Sequence, residues 1–86
     1  MTNSNVISEA TIARAKKRIA RMRDGDLLDW ADVAVPGIQK HLDFYRRSGD
    51  EAHLVEASTA EWQLSLVLTE MMDRQAARND EGLTGL

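Results

Sequence analysis

The chain has 86 residues, 43% of them apolar and 29% charged, with no cysteine and a formal net charge of −3. That is one domain's length of chain, too apolar for a disordered segment and too short for two separate cores. Lacking cysteine, it has no disulfide framework, no thiolate nucleophile and no sulfur-based metal site, and small domains without such staples often gain core area by oligomerising.

Charge is spread unevenly along the chain. Residues 1–23 carry six basic groups (Arg14, Lys16, Lys17, Arg18, Arg21, Arg23) and one acid, Glu9, for +5. Residues 24–86 carry five basic and thirteen acidic groups, for −8. Such a split marks either a basic arm for nucleic acid or membrane, or a basic helix lying against the protein's own acidic surface. Met1 to Val6 is polar, so no signal peptide is read there. No apolar run approaches the roughly 20 residues of a membrane span, and a cytoplasmic protein is the expectation.

Residues 1–7 read as a flexible N-terminus. Ser8 can cap a first helix, about 8–23, with Glu9 favourably placed in its first turn. Projected at 100° per residue, Ile12, Ala15, Ile19 and Met22 fall within a sector of about 80°. Arg14, Lys17, Arg18 and Arg21 fall on the opposite side, so this helix has a narrow apolar seam and a basic ridge. Asp24-Gly25-Asp26 reads as stop, turn and new N-cap.

The second segment, about 26–47, contains Pro36, which deletes a helical hydrogen bond and crowds the preceding turn. Its apolar phase nevertheless runs straight through: Leu27, Leu28, Trp30, Ala31, Ala34, Val35, Ile38, His41, Leu42 and Tyr45 lie within about 160° on one wheel. A single helix kinked at Pro36 is therefore expected, the alternative being a new helix with Pro36 at its first position. Ser48-Gly49-Asp50 marks the next boundary, with Arg46 and Arg47 suited to a helix C-terminus.

The third helix is expected over about 50–78, with a break near residue 57 as the alternative because Ser58 and Glu61 match a capping box. It carries one stripe of Leu54, Val55, Ser58, Trp62, Leu66, Thr69 and Met72, and a second of Ala57, Leu64, Val67, Leu68 and Met71. A helix apolar nearly all round is buried on more than one side. One stripe is assigned to the second helix and the other to a second copy of the chain. The fold class is thus all-α, a three-helix chain (8–78 as one domain, 79–86 as a flexible tail) assembling as a helical-bundle homodimer with the third helices central. Its expected interface is Trp62, Leu64, Val67, Leu68, Met71 and Met72. A compact three-helix monomer and a surface for a different protein are the competing readings.

Candidate chemistry is sparse. His41 lies on an apolar stripe, where a packed histidine is usual, and His53 with Glu56 makes only one His-x-x-Glu pair where di-iron bundles use two. Asp24, Asp26, Asp29 and Asp32 lack the spacing of a calcium loop and read as a solvated face. Ser58, Thr59, Ser65 and Thr69 have no base at recognisable spacing, and no glycine-rich phosphate loop is present. No catalytic residue, metal ligand or cofactor is assigned, and the protein is read as not an enzyme.

The stretch Trp30-Ala-Asp-Val-Ala-Val-Pro-Gly-Ile38, followed by His41-Leu42, Tyr45-Arg-Arg-Ser-Gly-Asp50 and His53-Leu54, resembles small helical proteins of actinobacteria and their phages that have no assigned activity. Arginine outnumbers lysine eight to three, as suits a high-GC source. The resemblance covers about a third of the chain and includes no functional motif; if the protein is phage-encoded, it implies a regulatory protein that binds and modulates a host protein. The functional expectation is therefore a protein–protein interaction module. The alternative is a nucleic-acid-binding protein using the ridge Arg14, Lys17, Arg18 and Arg21. Against that alternative stand the acidic balance of the whole chain and the absence of an aromatic interleaving the ridge. A membrane-surface role is not expected, because the opposing seam lacks the large apolar residues of an interfacial helix.

Overall fold

The computed structural model describes residues 7–84, with side chains described for 7–79. Within that span the chain is all-helical: α1 (Glu9–Ala20), α2 (Asp24–Ser48) and α3 (Glu51–Thr84). The expected flexible N-terminus falls, apart from Ile7, outside the described residues.

Each boundary has a local cause. Ser8 takes extended backbone angles and its Oγ accepts from the Thr11 N–H at 3.2 Å, supplying the expected cap of α1. That helix stops at Ala20, three residues short of the expected end, because the Arg21 and Met22 N–H groups turn back to the Arg18 and Ile19 carbonyls. Asp24-Gly25-Asp26 is accordingly not a stop and a new cap. It forms the first turn of α2, where two carboxylates complement the helix dipole, and Arg23 stands at the cap without a side-chain hydrogen bond.

The second helix runs as one element through Pro36. Proline leaves the Asp32 carbonyl without its helical donor, but both residues lie on the exposed side, where water can serve that oxygen. The helix ends as expected at Gly49, whose φ of 68° is left-handed and whose N–H reaches the Tyr45 carbonyl at 2.7 Å. One residue later Asp50 Oδ1 accepts from the Ala52 N–H at 3.0 Å and starts α3. The third helix is unbroken at Ser58 and continues to Thr84, past the expected end at residue 78. Ala76, Ala77 and Arg78 are strong helix formers and give no reason to stop there.

α2 and α3 form an antiparallel hairpin with a seam in the coiled-coil style. Leu27, Trp30, Ala34, Gly37, His41 and Phe44 recur alternately three and four residues apart, and so do His53, Ala57, Ala60, Leu64, Val67, Met71 and Arg74. All of these are buried or half-buried. α1 lies across one face of this hairpin near its open end, away from the turn. There Ile19, Leu27 and Val67 form the fully buried core, with Met22, Trp30, Leu66 and Met71 packed round it.

Arg74 ties all three helices together at this end. Its guanidinium donates to Glu70 at 2.7 Å, to Asp24 at 2.8 Å, and to the Ile19 and Ala20 carbonyls at 3.4 and 3.3 Å. It thus caps the C-terminus of α1 and pairs with the first carboxylate of α2 at once. Arg78 adds a second bond to Asp24 at 2.8 Å.

The assembly measures 57 × 29 × 17 Å with a radius of gyration of 16.3 Å. A compact domain of this length would have a radius of about 12 Å. The molecule is therefore an open slab of helices with no second layer over most of the hairpin.

Candidate interaction face

The slab leaves one apolar face uncovered. Leu28, Ala31, Val35, Ile38, Leu42 and Tyr45 repeat the alternating three-and-four spacing on a side of α2 adjacent to the seam. Leu28, Val35, Leu42 and Tyr45 are 51%, 53%, 40% and 38% exposed, too open for residues of this size to count as packed. On α3, Leu54 and Leu68 are 40% and 44% exposed and flank the half-buried Leu64 and Met71. Right-handed helices running antiparallel present these two sides on the same face of the slab. A shallow hollow lined by Leu28, Met71 and Gln75, with Asp24 and Arg78 at its rim, joins them directly. α1 occupies the other face, where Ala15, Ile19 and Met22 meet Trp30, Gln63 and Val67.

The expected interface residues divide. Leu68 and Met72 are exposed, Met72 at the margin of the open face. Leu64 and Met71 sit at the seam with one edge toward it, and Trp62 is half-buried on the outward side of α3. Val67 is corrected: at 1% exposure it is core, because the seam register points it at Trp30 and Leu27. The larger difference is on α2. Its apolar arc of about 160° is wider than one neighbouring helix covers. Leu27, Trp30, Ala34 and His41 turn inward, while Leu28, Val35, Leu42 and Tyr45 are left facing out.

The basic ridge is where the sequence places it. Arg14, Lys17, Arg18 and Arg21 are all exposed, and among the described residues none forms an ion pair. The ridge does not dock on the protein's own acids. Asp24, engaged by two arginines, is held below the ordinary carboxylate range by hydrogen bonds from Arg74 first and Arg78 second. Asp29 and Asp32 are exposed, as a solvated acidic face requires.

His41 and His53 come together near the turn, with Nδ1 to Nδ1 at 3.2 Å. Sequence spacing gave no sign of this, since the pairing depends on the hairpin's register rather than on one helix face. Among the described residues no group of three or more histidines and carboxylates stands ready to hold a metal ion. None of the described helices is long and apolar enough to cross a membrane. No protein-family model, curated protein or solved structure matches the chain.

Proposed function

We propose that this chain is a non-enzymatic helical interaction module whose open α2–α3 face takes a second copy of itself, closing two hairpins into a four-helix bundle. The observation that carries the reading is the pair of parallel apolar rows on that face, Leu28–Val35–Leu42 and Leu54–Leu68, opposite the face covered by α1. The α2 row repeats the spacing with which α2 and α3 already pack on each other, and Leu54 and Leu68 on α3 stand two heptads apart. A two-fold copy therefore meets them with knobs of the same pitch. From Leu28 to Tyr45 the face runs about 26 Å at 1.5 Å per residue, and two helices are about 20 Å wide. The projected area is on the order of 500 Å², before side-chain relief, against about 800 Å² per partner in a standard interface. Glu61 is the one ionisable residue among the outward positions between Leu54 and Leu68 on that side. The resemblance to actinobacterial and phage proteins implies a different protein partner, but nothing on the face selects one, whereas a second copy brings the same apolar rows.

Light scattering behind a sizing column tests this. The expected mass is twice the 9.6 kDa of the chain. Leu42→Glu with Leu68→Glu is expected to give a helical monomer. A wild-type monomer at all concentrations, or a doubly substituted dimer, overturns the reading.

A second reading, binding of nucleic acid by α1, is favoured by the four ridge cations, none of which forms an ion pair among the described residues, whereas Arg46, Arg74 and Arg78 do. Its mark is DNA or RNA affinity that falls steeply with salt and with neutralisation of Arg14, Lys17, Arg18 and Arg21. Absence of binding at about 50 mM salt removes it.

A further inference from the structure

Near the turn the hairpin has no third helix, and its inner contact is the pair His41–His53. Their Nδ1 atoms are 3.2 Å apart and half-buried, and the His53 ring also lies 5.1 Å from that of Phe44. An imidazole nitrogen either donates or accepts, so a contact at this distance needs one N–H and one lone pair. The neutral pair meets that requirement, and so does the singly protonated pair, as a charge-assisted bond. The doubly protonated pair does not. Both nitrogens then carry hydrogen, no acceptor remains, and two like charges face each other at contact distance.

The surrounding charges do not remove this conflict. From α2, Lys40 stands 5.8 Å from the centre of the Phe44 ring, and Asp43 is engaged by Arg46 at 2.9 Å. From α3, Glu56 lines a hollow beside His41. Lys40 and Glu56 act in opposite senses, and α1 packs at the other end of the hairpin. Among the described residues, His41–His53 is the one side-chain hydrogen bond between α2 and α3 outside the Asp24 cluster. Leu42 and Leu54, each next in sequence to one of the histidines, form that end of the open face.

We propose that His41 and His53 form a proton-operated clasp: with one proton or none it closes the turn end of the hairpin, and with two it releases it and disorders the Leu42–Leu54 end of the open face. Its effect on assembly rests on the self-association reading; its effect on the hairpin does not. The clasp therefore opens on acidification, when a second proton is forced onto the pair.

The test follows hydrogen-exchange protection from about pH 7.5 to about pH 5 in the wild type and in His41→Leu/His53→Leu, with sedimentation of the same samples. Protection of residues 41–57 is expected to fall about tenfold in the wild type and to hold within about twofold in the variant, while residues 63–74 hold in both. The wild-type mass is expected to move toward the monomer and the variant's to stay. An equal fall in both proteins, or at both ends, overturns the clasp. A dimer whose mass ignores the loss of protection overturns the link to assembly. A wild type that is monomeric throughout overturns the self-association reading, while the protection ratio still decides the clasp. His53→Gln, which keeps a donor and an acceptor without titrating, makes the same comparison if the double variant fails to fold.

Discussion

The two ends of the α2–α3 hairpin solve the same packing problem with different materials. At the open end a third helix is laid across the seam, Leu27 and Val67 reach 0% and 1% exposure, and Arg74 binds all three helices. At the turn end the same seam carries two histidines, Phe44 and Ala57, with no helix over it. In so short a chain α1 covers one end of one face, and the apolar rows elsewhere are left for another molecule. The contrast separates what makes the chain fold from what makes it associate.

The largest expected effect that would break this comparison is truncation at the open end. Leu27→Ala is expected to cost about 3 kcal/mol, because Leu27 is fully buried among three helices and the cavity cannot collapse. Phe44→Ala, at the half-buried turn end, is expected to cost less than half of that. Urea unfolding of both variants checks the order, and a reversed order would relocate the core. Next comes Arg74→Met, which keeps the apolar stem of the side chain and deletes every bond of the clamp. It is expected to free α1 before the hairpin melts, seen as loss of amide protection in 12–20 ahead of 57–71. Simultaneous loss would make the molecule one cooperative unit.

Acid sharpens the contrast between the two polar fastenings. The Asp24 carboxyl is held below its ordinary value of 3.8 by Arg74 and Arg78. A depressed carboxylate contributes stability that is present above the unfolded value and lost as pH falls through the folded one. The open end should therefore hold through mild acid and loosen below about pH 4. Thermal scans of wild type and Asp24→Asn through that range should converge as the carboxylate protonates. The smallest effect is Gly37→Ala. A Cβ at Gly37 meets nothing within 4 Å, so helix propensity decides and a gain of up to about 1 kcal/mol is expected. A loss would mean that the small residues of the mid-seam set the approach of α2 to α3.

Much of the fold is legible in the residues themselves. Ser8 and Gly49 announce their boundaries through local chemistry, and the apolar phase across Pro36 identifies one helix because two would not share it. The candidate face is legible only in part. Leu68 and Met72 stand out as surplus apolar residues on α3, but Leu28, Val35, Leu42 and Tyr45 merge into an arc that includes the true inward stripe. Hydropathy gives an arc its width; only a neighbour's position divides it. The Arg74 clamp and the histidine pair were hidden for a related reason, since each joins side chains whose separation in sequence follows no helical period.

The Arg74 bonds to the Ile19 and Ala20 carbonyls span 55 and 54 positions of chain, whereas the α2–α3 seam begins across a two-residue turn. Contacts that close short loops form early, and those that close long loops wait. The hairpin should thus zip from Gly49 outward, reaching the Arg74 layer last. α1 precedes the α3 residues it packs on, so it has no complete binding site until Gln63 to Arg74 have followed it. The Arg74 layer of α3 thereby fixes the moment at which the three helices come together.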